Sequence, residues 1–270
     1  PVAPIASYGQ TLSPAQFVQA TTRGRGAAQR RRENQPLDHN TRGINVRTQV
    51  QLTPQEAQLL ARLRTPRQVQ RFLNELPYND EAPPVRGTLR SFRGVVRHWN
   101  AHCMEAALAA AVILEPRGYP PLVLSLESID CLDHVLFVYR QGDSWGSVAR
   151  SRDPGLHGRR PVFRTARDLA LSYVDPYVDF TGRIVGYAVV DLRTLGRYDW
   201  RFSTRNIWKA ERLLQDYPHR PIRSSDRRIA RLRRRFLAFV DRYPNRRPLY
   251  YAGQETWSEI PKGPWGQEGS

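Results

Sequence analysis

Apolar positions along the chain change spacing in a definite order, from helical to extended and back. Leu59, Leu60 and Leu63, then Val69, Phe72, Leu73 and Leu76, recur at three- and four-residue intervals, the mark of one buried helical face. Each run is preceded by a start signal. Thr53-Pro54-Gln55-Glu56 and Thr65-Pro66-Arg67-Gln68 both place a capping threonine before a proline and a reciprocal Glu or Gln. Pro77-Tyr78-Asn79 closes the pair, which predicts an αα-hairpin packed on the rest of the core. Ser91 caps a short helix through Val95, Val96 and Trp99. The next run, Cys103 to Leu114, is apolar on every side and reads as a buried helix with Asn100 as its N-cap and Arg117-Gly118 as its stop.

Extended segments follow. Leu122 to Leu126, His134 to Arg140 and Trp145 to Ser151 read as strands, the last two joined by a tight turn at Gln141-Gly142-Asp143. Thr165 and Asp168 bracket a helix start running through Leu169, Leu171 and Tyr173, and Ile184 to Leu192 is a strong strand. Ser203 or Thr204 is expected to cap a helix through Leu214. Ser225 caps a last one with Ile229, Leu232, Phe236, Leu237 and Val240 on its apolar face and Arg227, Arg228 and Arg231 to Arg235 opposite. Helices first, then mostly antiparallel strands with further helices, define an α+β class and not a βαβ repeat.

Length and composition set the domain picture. A chain of 270 residues, 40% apolar, can bury a sizeable core. Residues 1–45 lack periodicity and read as a weakly ordered basic arm, 46–252 as one domain, and 253–270 as a loose tail. Net charge is +17, and all but Lys209 and Lys262 of the 42 basic residues are arginine. Such a surface is expected to bind polyanions without sequence preference and with strong salt dependence. Zinc-finger spacing, an RNA-recognition aromatic signature and a helix-turn-helix are all missing. No apolar stretch reaches the ~18–20 residues of a membrane span. Two cysteines make no disulfide framework, and with no basic-then-apolar leader they point to a reducing, cytoplasmic setting.

The candidate chemistry lies at Cys103 and His134. A thiol in the first turn of a helix meets unpaired backbone N–H groups and the positive end of the helix dipole, which favour the thiolate. A histidine at the start of a strand can supply the base. The Cys103 backbone N–H would contribute to an oxyanion hole, with the Asn100 side chain as a second donor, and Trp99 and Trp145 are candidate walls. Cys131 reads as structural. A rival arrangement draws a tetrahedral zinc site from His98, His102, Cys103, Cys131 and His134. It requires one continuous helix through Trp99-Asn100, where a break is expected, so neither metal nor cofactor is expected.

Together, His102-Cys103-Met-Glu-Ala-Ala, Gly118-Tyr-Pro-Pro-Leu-Val, Asp133-His134-Val-Leu-Phe-Val-Tyr-Arg and Trp145-Gly146-Ser-Val resemble the core of the transglutaminase-like superfamily, in particular a bacterial branch of it. The likeness extends through Arg160 to Tyr173 and back to Thr65-Pro66, covering roughly residues 50–215. It implies a papain-like α+β fold, with the cysteine helix packed on a mostly antiparallel sheet, and a Cys-His-Asp triad acting on a peptide or amide. Cys103 would be the nucleophile and His134 its base. The family's aspartate falls where this chain has Ala149. Hairpin geometry places residues about 149–152 opposite His134, which makes Asp153 the nearest carboxylate and Ser151 a weaker candidate. Asp143 lies at the far end, and Asp133 should point away from its neighbour His134. The alternative is a non-enzymatic binding protein on the same scaffold, with an arginine-rich surface for acidic partners or nucleic acid.

Overall fold

A computed structural model describes residues 51–80 and 87–266; the expected basic arm lies outside them. The first two helices, α1 (Pro54–Arg62) and α2 (Pro66–Glu75), begin at the expected caps. Thr53 and Thr65 each accept a backbone N–H while Glu56 and Gln68 reach back. Helix α3 (Phe92–His98) starts at Ser91 and ends on Trp99, whose φ of 55° turns the chain away. Helix α4 (Cys103–Leu114) buries every residue but the first. Its N-cap is His102 and not Asn100, because the Asn100 Oδ1 is taken by Arg90 Nη1 across the turn.

Six strands form one sheet, β1 (Leu122–Ser128), β2 (His134–Gln141), β3 (Ser144–Val148), β4 (Arg159–Phe163), β5 (Ile184–Asp191) and β6 (Arg220–Pro221), in the order β4-β3-β2-β1-β5-β6. Every neighbouring pair in this sheet is antiparallel. The β2–β3 register pairs Gln141 with Ser144, leaving a two-residue loop in which Gly142 takes φ 58°. That loop is the tight turn expected from the sequence, and positive φ is the reason for its glycine. Strand β3 is shorter than expected. It stops at Val148, and the chain leaves the sheet before reaching the end of β2.

Strand alternation then sorts the core into two layers. Val123, Val135, Phe137 and Val190 pack with the α4 residues and the helices before it. Leu124, Leu136 and Val138 pack on the opposite face with Leu169, Ala170 and Tyr173, carried by or just after α5 (Ala166–Leu171). The molecule is thus a mixed helix and antiparallel-sheet fold with both sheet faces covered.

Beyond the sheet, α6 (Trp208–Asp216) begins later than Ser203 or Thr204, since the Ile207 backbone N–H is drawn to the Leu89 carbonyl. Helix α7 (Asp226–Arg242) buries Ile229, Phe236 and Phe239 and leaves Leu237 41% exposed, so its apolar face is turned slightly from the expected one. From Gly253 to Gly266 the chain stays on the body. Trp257 bridges to Arg159, the Glu259 carboxylate receives Arg67 and Arg71, and β8 (Trp265–Gly266) pairs with β7 (Arg247–Pro248).

Candidate active site

One cleft at the end of the sheet is lined by Tyr78, Cys103, His134, Asp153 and Leu156 among others. Four short pieces of chain meet there: the loop after α2, the N-terminus of α4, the first residue of β2 and the loop between β3 and β4. Cys103 is half-buried as the first residue of α4. Its N-terminal turn is held by Glu105, which is fully buried. The Glu105 carboxylate accepts from the backbone of Arg90 (2.9 Å) and His102 (3.2 Å) and from Asn79 and Thr88 (3.2 Å each). A buried carboxylate that is satisfied on all sides ties the cysteine to two neighbouring segments.

His134 is 4% exposed. Its Nε2–H donates to the Leu156 carbonyl at 2.9 Å. A carbonyl can only accept, so this bond puts the proton on Nε2 and leaves Nδ1 as the basic nitrogen. The Cys103 thiol shares the cleft with the rings of His134 and His102. Burial alone would raise the thiol, but the two rings outweigh it and hold Cys103 well below the usual thiol range.

His102 was not singled out as a thiol partner in the sequence. Its Nδ1 accepts the Met104 N–H at 3.2 Å and its Nε2–H donates to the Thr88 carbonyl at 3.0 Å. Burial disfavours a charge there, yet Cys103, Glu105 and the Thr88 carbonyl raise His102 to about 9. A second proton on Nδ1 would end the bond from Met104, so the charged ring exchanges a helix cap for a pair with the thiolate.

The loop from Ala149 to Arg159 supplies the other side. Gln70 clamps its start, accepting Ala149 N–H at 3.0 Å and donating to the Ala149 carbonyl at 2.8 Å. Asp153 lines the cleft, but the atom at His134 Nε2 is the Leu156 carbonyl and not a carboxylate. Asp153 instead receives Arg247 Nη1 at 3.3 Å, and burial pushes its carboxyl up to about 6 against the pull of Arg152. The Ser151 hydroxyl is occupied by the Asp153 backbone N–H. Asp133 turns to the Ser128 backbone at 2.9 Å, as alternation along the strand requires.

Three expected pocket residues are elsewhere. Asn100 is held by Arg90, and Trp99 packs its ring against Phe72, 5.7 Å between centroids. Trp145 stands at the opposite end of β3, paired with Arg140. Cys131 is an exposed free thiol. Among the described residues no group of three or more His, Cys, Asp or Glu side chains is placed to hold a metal ion. The turn at Trp99 breaks the continuous helix that the zinc arrangement required between His98 and His102.

Within this loop His157 is fully buried, with no hydrogen-bond partner on either ring nitrogen among the described residues. Burial, with Arg150, His134 and Arg159 nearby, lowers it to about 3 in spite of the Ser151 backbone. The folded value lies below the unfolded one, about 6.5. As pH falls below that value the unfolded chain takes up the proton first. The stability is therefore full above about pH 6.5 and is lost toward pH 3, at up to ~1.4 kcal/mol per pH unit. Replacing His157 with leucine is expected to leave denaturant stability at pH 8 unchanged or higher and to flatten its fall by pH 5. Parallel pH profiles for the two proteins would disprove this.

No family model matches the chain, and no curated protein is similar to it in sequence. Among solved structures it is similar to Legionella pneumophila LapG at 12% identity and a TM-score of 0.29, over 54% of this chain and 76% of that one. The EGTA-treated form of LapG gives 14% identity and a TM-score of 0.28 over the same shares. Among the described residues no helix is long and apolar enough to cross a membrane.

Proposed function

We propose that the protein is a thiol-dependent enzyme that transfers acyl groups or hydrolyses an amide or peptide bond at Cys103. The observation that carries this reading is the Cys103 thiol at a helix N-terminus, in one cleft with a His134 whose Nε2 is fixed on the Leu156 carbonyl. His134 Nδ1 takes the Cys103 thiol proton; the thiolate attacks the carbonyl carbon, and Nδ1 gives that proton to the leaving amine as the tetrahedral intermediate collapses. Water or a second amine then attacks the acyl-thiol, with His134 as base. The working unit is a Cys-His dyad oriented by a backbone carbonyl, and Asp153 acts on it only through charge.

The alternative, a non-enzymatic binder of polyanions, is supported by the exposed arginines Arg227, Arg231 and Arg234 on α7. The cleft itself argues against such a ligand there, since Asp80, Asp130, Asp133, Asp153 and Asp179 line it against Arg152.

An activated ester tests the enzyme reading without knowledge of the natural substrate. Wild-type protein mixed with p-nitrophenyl acetate is expected to release a burst of about one nitrophenolate per chain and to carry one acetyl group on Cys103 by mass spectrometry. Cys103→Ala should give neither, and Cys131→Ser should behave as wild type. Acetylation absent from Cys103 in the wild type would overturn the reading.

A further inference from the structure

An acyl-transfer site needs donors for the oxygen that becomes negative, and only part of that set is supplied by the helix. The first helical bond of α4 runs from Ala106 N–H to the His102 carbonyl, and Met104 N–H is used by the His102 ring. The Cys103 N–H has no intrahelical partner and is free for the task. The Asn100 side chain is held away by Arg90.

Tyr78 lines the same cleft. Its backbone forms an isolated parallel bridge with Ala101, with Asn79 N–H on the Ala101 carbonyl and Ala101 N–H on the Pro77 carbonyl, both at 3.3 Å. This bridge locks Tyr78 beside the segment that enters α4. The ring lines the cleft together with Cys103 and His134. Two guanidinium groups lie near its ring centroid, Arg152 at 5.5 Å and Arg150 at 5.7 Å. The bridge to Ala101 brings Tyr78 to within two residues of Cys103 along the entering segment, and both residues line the cleft. We infer that Tyr78 is the second oxyanion donor of the site, its hydroxyl and the Cys103 N–H together receiving the carbonyl oxygen of the acyl group.

This inference rests on the thiol-enzyme reading. Burial raises the phenol far above its usual range, so it stays protonated and able to donate at any working pH. As the Sγ–C bond forms, the carbonyl π electrons move to oxygen, and that oxygen enters between the amide and the phenol. Collapse re-forms the C=O bond and breaks the bond to the leaving group. Tyr78 donates a hydrogen bond throughout and loses no proton.

The test compares two reagents on Tyr78→Phe, which keeps the ring and its arginine contacts. p-Nitrophenyl acetate reacts through a tetrahedral oxyanion, whereas iodoacetamide alkylates the same sulfur by displacement at carbon and makes none. The variant is expected to lose about 10²-fold in the rate of Cys103 acetylation. Its alkylation rate and the pH midpoint of alkylation should stay at the wild-type values. Acetylation at the wild-type rate, or equal losses with both reagents, would overturn the role of Tyr78 alone, the second result assigning the residue to the thiol or the fold. Failure of the wild type to be acetylated at all would overturn the enzyme reading and this inference with it.

Discussion

Limiting iodoacetamide at pH 6 is expected to alkylate Cys103 first and to leave Cys131 almost untouched, although Cys131 is the more exposed of the two. An ordinary thiol with a pKa near 8.5 is only about 0.3% thiolate at that pH, so a fully ionised thiol holds roughly 300 times more of the reactive form. Lower basicity also lowers intrinsic nucleophilicity, but with a Brønsted slope of about 0.4–0.5 this offsets only part of the gain in thiolate. A preference for Cys103 remains. His134→Ala is expected to move the pH midpoint of Cys103 alkylation upward, because one of the two rings that hold the thiolate is gone. His102→Ala should do the same and also cost stability, through loss of the cap on Met104. Peptide mapping after partial reaction reads all three, and earlier labelling of Cys131 in the wild type would sink the assignment.

Much of the local structure behind this prediction is legible in the sequence, because local signals decide it. Thr53 and Thr65 cap through contacts within four residues, and Gly142 supplies a positive φ that a two-residue turn demands. The even burial of α4 follows from a run without a polar face. The details that make the site are set by distant parts of the chain. Asn100 is a better cap than His102 by residue type, but its Oδ1 is taken by Arg90, ten positions away. The acceptor for His134 is a backbone carbonyl, Leu156, and every residue type carries that group, so nothing in the sequence marks it out. Asp153, the carboxylate nearest to Leu156 in sequence, shares the cleft but not the hydrogen bond. The arginines show the same limit. A chain with this many reads as having solvated cations throughout, yet Arg159 has no exposed surface at all.

Replacing Arg159 with leucine is expected to be among the most destabilising single changes in the molecule and to disorganise the site as it does so. The guanidinium donates to the Gly155 carbonyl at 2.6 Å, the His157 carbonyl at 2.8 Å, and the Ser172 carbonyl and hydroxyl at 3.2 Å. It also lies 4.1 Å from the Tyr173 ring centroid and 5.0 Å from that of Trp257. Burial lowers its pKa, and no carboxylate pairs with it among the described residues; carbonyl dipoles and ring faces stabilise the charge. Leucine would leave three buried carbonyls short of a donor, at about 1–3 kcal/mol each. Even if the loop relaxed to recover part of this, a loss of more than ~3 kcal/mol in denaturant stability follows. Gly155 and His157 flank Leu156, so the carbonyl that orients His134 would lose its support from both sides. Arg159→Lys keeps the charge but cannot span these acceptors as a planar fork. It should fold with reduced stability and with the midpoint of Cys103 alkylation shifted upward. Arg71→Ala is the control: its contacts with Glu259 are as short, 2.7 Å, but solvent-exposed, and screening leaves such pairs little net effect. Equal stability of the Arg159→Leu and Arg71→Ala proteins in chemical denaturation would show that the buried guanidinium does not hold the loop.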